Sequence, residues 1–352
     1  MPPVNAPDRL LAAGVLREEA RREGFSRIGF APAERPARFD RFERWIAEGR
    51  HAGMEYLEKT REARSSPESL LPGARSVVCL AAPHRSRPFT AADGSKIARY
   101  AAGADYHGTV RRRAERVARA ARERLGSFRY RVCVDSTPLA ERSFAARAGL
   151  GWIGKNGCLI DPEAGSWLLL AEILVDLDLP PDEPAAERCG NCVRCLEACP
   201  TRAFVEPGIL DSRRCLAYWT IEHRGPIPLW VLEAVGDHVF GCDICQEVCP
   251  WNSAIPEEDD GRRAPTRREW LEMGPGQWRR EWGATALNRA ARRGVQRNAA
   301  ASAGSVLDAS CLPALRRTSR VSEPGLYAAS EWSIRRLSPG DFPAGAGERK
   351  DF

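Results

Sequence analysis

The chain has no apolar run of 18 residues, so no membrane span is expected. Its opening stretch, MPPVNAPDRLLAAGVLREEARREG, has neither the apolar core nor the small-residue cleavage site of a secretory signal. No GK[ST] tripeptide occurs, which excludes the phosphate-cradle loop of nucleotide hydrolases. Histidine is scarce, five in 352 residues, so imidazole chemistry has few candidates. Charged residues make up 28% and hydrophobic ones 43%, normal for a globular protein, and the length suits two or three domains.

Cysteine is plentiful. CGNCVRCLEACP (189–200), an isolated Cys215 and CDICQEVCP (242–250) place eight cysteines in one short segment. The first run has the spacing C-x2-C-x2-C-x3-C-P and the second C-x2-C-x3-C-P. Eight thiolates match two [4Fe-4S] clusters, and in the bacterial two-cluster arrangement the fourth cysteine of a run serves the other cluster. That rule assigns Cys189, Cys192, Cys195 and Cys249 to one cluster. Cys199, Cys215, Cys242 and Cys245 go to the second. Two four-cysteine zinc sites would also consume all eight. Three thiolates on one tight loop, with Cys-Pro closing both runs, favour iron–sulfur. A disulfide framework would need an oxidising compartment. The segment is an electron relay, and the rest of the chain must say what is reduced.

Charge divides along the chain. Residues 1–175 carry 30 Lys and Arg against 21 Asp and Glu; residues 176–260 carry 6 against 17; residues 261–352 carry 17 against 9. Basic flanks around an acidic centre can steer a polyanion, or can be a solvated arginine-rich surface.

Helical and strand patterns alternate in the first half. The spacing predicts a helix over 8–23, a strand over 25–31, a helix over 38–49 and a buried strand, ARSVVCLAAP, over 74–83. KIARYAAGADYHGTV (96–110) reads as a glycine-containing loop that gathers Tyr100, Tyr106 and His107 before a helix over 109–126. His107 is either functional or a surface residue. FRYRVCVD (128–135) reads as a strand ending at Asp135, with Ser136 or Thr137 capping a helix that Pro138 opens. A carboxylate at a strand's carboxyl end lies where α/β sheets bind ligands, and burial that raised its pKa would make it an acid or base. The plainer alternative is a helix cap. GLGWIGKNGCLI (149–160) is glycine-rich but follows a helix and precedes a strand, the reverse of a dinucleotide fingerprint. Its glycines suggest close approach of backbone to a bulky ligand. SWLLLAEILVDLDL (166–179) reads as a buried strand with a break near Glu172.

Short Ala/Leu helices after residue 261 suggest a fragment of HEAT-type solenoid, with Arg289, Arg292, Arg293, Arg297, Arg316, Arg317 and Arg320 lining one surface. A helical cap over the cluster segment is the alternative. The expected fold is α+β and multidomain. It comprises an α/β-type domain (1–177), a two-[4Fe-4S] ferredoxin-like domain (178–257) and a HEAT-like helical region (258–352).

DYH (105–107), VDSTPLAERSFAARAGLGWIGKNGCLI (134–160) and the two cysteine runs together resemble the epoxyqueuosine reductases, over about residues 8–340. The resemblance implies a cytoplasmic monomer that binds cobalamin in residues 1–177 and two [4Fe-4S] clusters, and that acts on tRNA through its helical region. It would reduce epoxyqueuosine to queuosine at the wobble position. Electrons from an unidentified donor would pass through the clusters to a reduced corrin that attacks the epoxide or otherwise delivers electrons to it. The resemblance makes Asp135 the proton donor and puts Tyr106, His107, Asp135, Arg142, Trp152, Lys155 and Asn156 in the cobalamin-domain motifs. The signature D-x-H-x-x-G, in which histidine ligates cobalt, is absent; DYHG (105–108) has the wrong spacing, which is compatible with a base-off cofactor. The rivals are a dehalogenase-like cobalamin and iron–sulfur reductase of small molecules, a plain ferredoxin module, and a non-catalytic iron–sulfur protein that binds nucleic acid. A radical S-adenosylmethionine enzyme is disfavoured, because its C-x3-C-x2-C trio leaves one iron open.

Overall fold

The computed structural model describes residues 8–84, 87–253 and 262–339. The acidic stretch PEEDDG (256–261) lies outside the described residues. The first half is built on four strands: β1 (Arg27–Pro32), β2 (Ser76–Pro83), β3 (Tyr130–Cys133) and β4 (Leu168–Val175). They lie in the order β1-β2-β4-β3 with every neighbour antiparallel. The rule that parallel α/β sheets bind ligands at their carboxyl ends therefore does not place the site here. Side chains alternate between the two faces. Val78, Leu80 and Ile173 pack under α1 (Arg9–Arg22) and α2 (Tyr106–Leu125). Cys79, Ala81 and Leu174 pack under α3 (Glu141–Arg147), whose Phe144 and Ala145 are buried.

Three local expectations are corrected. β4 runs unbroken through Glu172, which is fully buried in mid-strand. Tyr106 and His107 are not in a loop but form the first turn of α2, because the Asp105 carboxylate caps it by accepting from the His107 N–H. The helix expected to open at Pro138 begins at Glu141 with no side-chain cap. Asp135 has φ +43°, and turns at Thr137 and Leu139 use up the intervening residues.

The cluster segment contributes short pieces: four-residue helices at Arg194–Glu197 and Ile244–Glu247, and a strand at His238–Phe240 that pairs with Lys96–Ile97. The C-terminal part packs α4 (Arg267–Glu272), α5 (Ala291–Ser305), α6 (Leu312–Thr318) and α7 (Pro324–Leu337). Small residues from Ala299 to Gly304 let α7 approach α5; a Cβ on Gly304 would meet Ser333 Oγ at 2.3 Å. One core joins Phe89, Ile97 and Ala101 to Val231 and Phe240 of the cluster segment and to Trp270, Leu287 and Leu326 of the helices. Arg297, expected on a basic surface, is 2% exposed. It donates to the carbonyls of Trp219, His223 and Gly225 in the cluster segment. Among the described residues no helix is long and apolar enough to cross a membrane.

Gly29 in β1 sits so close to the end of α3 that an added Cβ would lie 2.0 Å from the Ala148 carbonyl. Gly29→Ala should lower stability by about 1–3 kcal/mol, the usual cost of forcing atoms into a packed contact. Chemical denaturation of the two proteins measures it.

Candidate active site and cluster pockets

Asp135 follows β3 after one residue, Val134, and the cap on α2 turns two aromatic side chains toward it. Tyr106 donates its hydroxyl to Asp135 Oδ2 at 2.5 Å, and His107 Nε2 meets the same oxygen at 2.6 Å. The other nitrogen of His107, Nδ1, lies 2.6 Å from Asp105 Oδ1. The two rings stack with centroids 4.2 Å apart, and Tyr100 packs edge-on against Tyr106.

These contacts decide the protonation states. Hydrogen bonding to Asp135 outweighs burial and, with Asp105, raises the His107 pKa to about 9. Burial alone would raise the Asp135 pKa, but the hydrogen bonds from His107 and Tyr106 together outweigh it and hold the carboxyl below its ordinary value. The expectation of a carboxyl raised by burial is thus reversed: at neutral pH Asp135 is the anion and the proton sits on His107.

The surroundings include residues that sequence reasoning did not assign. Glu141 Oε1 accepts the Asp135 backbone N–H. Arg289, from the C-terminal part, forks onto Glu222 at 2.6 Å, lies 5.3 Å from the centroid of the Tyr56 ring and lowers the Asp135 pKa. Tyr56 carries no motif, and Arg289 looked like one of several surface arginines. No local pattern marks either, since the fold joins them across more than 200 residues.

The cysteines separate into two sets. Cys189, Cys192, Cys195 and Cys249 line one pocket, walled by Ile160, Trp251, Lys155 and Asn156. Cys215 and Cys242 lie near Cys199, and Cys245 lies near Cys242 and Cys215. Four sulfurs around a pocket with an apolar wall suit a cluster. His107, with both ring nitrogens held by carboxylates, has no lone pair to offer cobalt, so the donor set fits a corrin without a protein ligand from this residue.

The glycine-rich stretch behaves differently from expectation. It folds as a tight hairpin, Trp152–Ile153 against Leu159–Ile160, and a Cβ on Gly151 would lie 2.2 Å from the Ile160 carbonyl. Gly151 thus serves the hairpin's own backbone, not the approach of a ligand. The polar ends of three expected corrin contacts reach the cluster segment: Trp152 Nε1 to Cys189 Sγ at 3.4 Å, Lys155 Nζ to the Gly190 carbonyl at 2.6 Å, and Asn156 Nδ2 to the Cys245 carbonyl at 3.3 Å. Arg142 donates to the Gly157 carbonyl and braces the hairpin.

The His107–Asp135 contact gives a pH signature. With its folded pKa raised, His107 adds stability that is complete below its ordinary 6.5 and is lost as pH rises through about 9. Asp135, lowered, adds stability present above its ordinary 3.8 and lost as pH falls through its folded value. The melting difference between wild type and Asp135→Asn should therefore be widest between pH 3.8 and 6.5 and close as pH rises through about 9. Thermal melts across that range check it.

Comparison with known proteins places this geometry. The family described as "4Fe-4S double cluster binding domain" matches residues 188–252, and "Epoxyqueuosine reductase QueG, DUF1730" matches residues 64–136. An epoxyqueuosine reductase of Xanthomonas campestris pv. campestris is 43% identical over 261 residues, covering 72% of this chain and 74% of that protein. One from Synechococcus sp. (strain RCC307) is 44% identical over 268 residues, covering 74% and 81%. A crystal structure of an epoxyqueuosine reductase with an epoxyqueuosine-modified tRNA-Tyr stem loop superposes with a TM-score of 0.86 at 29% identity, covering 94% of this chain and 91% of that one. The chain belongs to the epoxyqueuosine reductase family, oxidoreductases that use cobalamin and two [4Fe-4S] clusters.

Proposed function

We propose that this protein reduces epoxyqueuosine to queuosine at the wobble position of tRNA, with Asp135 and His107 as its proton-handling pair. The observation that carries the reading is the Tyr106–His107–Asp135 constellation in a chain that also holds two sets of four cysteines. The reaction balances as epoxide plus two electrons and two protons giving alkene and water. The reducing equivalents would come from cobalamin when it is bound, with the two cysteine sets holding the clusters that would carry electrons to it.

The protein's own residues handle the protons. As the ring opens, negative charge develops on the epoxide oxygen, and a positioned acid relieves it. The proton shared by His107 Nε2 and Asp135 Oδ2 is the one to be drawn on, and Tyr106 keeps Asp135 oriented. Arg289 brings a cation near Asp135 from the helical region. Cys189, Cys192, Cys195 and Cys249 would hold one cluster, and Cys199, Cys215, Cys242 and Cys245 the other. Trp152, Lys155 and Asn156 anchor the hairpin to the cluster segment, and an N–H aimed at a ligand sulfur tunes reduction potential. Residues 1–177, 178–257 and 258–352 are the catalytic, relay and tRNA-binding segments, although they share a core. The basic helical segment would hold the anticodon stem-loop while the wobble base is flipped out. A cytoplasmic setting, reducing and tRNA-rich, fits such chemistry.

The test is anaerobic reconstitution with iron, sulfide and cobalamin, then turnover on a stem-loop carrying epoxyqueuosine with mass detection of the base. Loss of one oxygen only when cobalamin is present supports the reading. Asp135→Asn should keep iron and cobalamin while turnover falls by about 10²–10⁴-fold, the range for disabling an acid–base pair. Unchanged turnover removes Asp135 from that role. Cys192→Ser should lose iron and electron delivery; full iron content with full activity contradicts the ligand scheme.

A further inference from the structure

Glu172 is the most anomalous side chain in the fold. It sits in the middle of a central strand at 0% exposure, and neither carboxyl oxygen has a hydrogen-bond partner. Its register neighbours are Cys79 on β2 and Cys133 on β3, two buried thiols that burial keeps neutral. The group it does meet is the Glu141 carboxyl on α3. Glu141 in turn accepts the backbone N–H of Asp135, the residue held at φ +43°. Arg142 and Arg64 act on Glu141 as cations and Asp135 as an anion.

Two carboxylates in contact, one fully enclosed and the other half-buried, do not both ionise. The fully enclosed member keeps the proton, and the one with cations and an N–H donor nearby keeps the charge. A single proton on Glu172 then removes the anomaly, because a neutral acid is a donor and Glu141 is the acceptor beside it. Burial raises the pKa of both, Glu172 the more strongly.

We propose that Glu172 is a positioning residue: as a neutral acid locked in the sheet it donates to Glu141, whose carboxylate grips the Asp135 peptide and so aims the Asp135 side chain. Nothing in Glu172 touches substrate. A non-glycine residue in the left-handed region stays there only if its surroundings hold it, and this buried pair is the hold. The proposal rests on Asp135 being the proton-handling residue.

Replacement by leucine and by glutamine separates positioning from mere filling. Glu172→Leu should fold with full iron content and an unchanged or raised melting temperature, since it replaces a buried polar group with an apolar one. Its kcat should nevertheless fall by about 10²-fold, the scale for a small misplacement of a catalytic group, while KM for the stem-loop holds. Glu172→Gln, which keeps a donor toward Glu141, should restore most of that kcat. Infrared spectra of the reconstituted protein should show a carboxylic C=O band, shifted in D2O, that Glu172→Gln lacks. Equal kcat in wild type and Glu172→Leu overturns the proposal. So does equal loss in both variants, which would make the proton itself the requirement, and so does a band that survives Glu172→Gln. If Asp135→Asn turns over normally, the reading of Asp135 fails instead, whatever the Glu172 variants do.

Discussion

The cluster segment cannot bury itself. Its two cysteine runs form four-residue helices with no buried residue between them, and Val193 stands exposed. Loops that must point thiolates inward have few side chains left for a core. They borrow one. Phe240 and Val231 pack with Phe89 and Ile97 from the first half and with Trp270 and Leu287 from the helices. The strand His238–Phe240 pairs with Lys96–Ile97. Because that core is shared, the loop from Phe89 to Ala102 is held where it can deliver Tyr106 and His107. For the same reason the helical region comes close enough to set Arg289 near Asp135. The site is assembled by this packing more than by any one motif.

Within the site, competition between desolvation and hydrogen bonding fixes each charge. Asp135 and Glu172 belong to one small region and go in opposite directions. Asp135 gains two donors on one oxygen, and they overcome the cost of burial. Glu172 gains no donor, and burial wins. The same side-chain chemistry thus yields an anion at the strand end and a neutral acid in the sheet, the separation that acid–base sites depend on. The cost of enclosing Glu172 is modest once it is neutral and paired, which is why β4 continues through it.

The legible part of the sequence was the part whose chemistry is local. Cysteine spacing announced two sets of four, and the structure gathers Cys189, Cys192, Cys195 and Cys249 about one pocket despite the 53 positions between Cys195 and Cys249. The strand at 74–83 and the helices at both ends of the chain were readable from periodicity. The illegible part was set by tertiary context. A glutamate in an apolar run looks like a break until a second carboxyl is brought to it. Asp105 looked like a loop residue until its cap pulled Tyr106 and His107 into a helix. The glycines at 149–157 suggested room for a ligand, but Gly151 makes room for the Ile160 carbonyl. Arg297 counted as surface charge until its guanidinium was seen closing the carbonyls of the cluster segment.

That last residue bears on the charge pattern as a whole. Basic flanks of +9 and +8 around a centre of −11 invite a reading in which every arginine awaits a polyanion. Part of the attraction is spent inside the molecule: Arg289 pairs with Glu222 and Arg99 with Glu247, basic flank against acidic centre. Arg317 pairs with Glu272 within the helical region. Pairs of this kind differ in what they leave available. Arg297 is buried and committed to backbone carbonyls, so no phosphate can recruit it without unfolding its surroundings. Arg289 and Arg317 have side chains more than half exposed, and exposed ion pairs are worth only about 0–1 kcal/mol. A phosphate can displace their carboxylate partners at little cost and gains a bidentate contact in exchange. The positive charge that the C-terminal segment can offer a polyanion is therefore set by how many of its arginines sit in exchangeable pairs, and net charge alone overstates it.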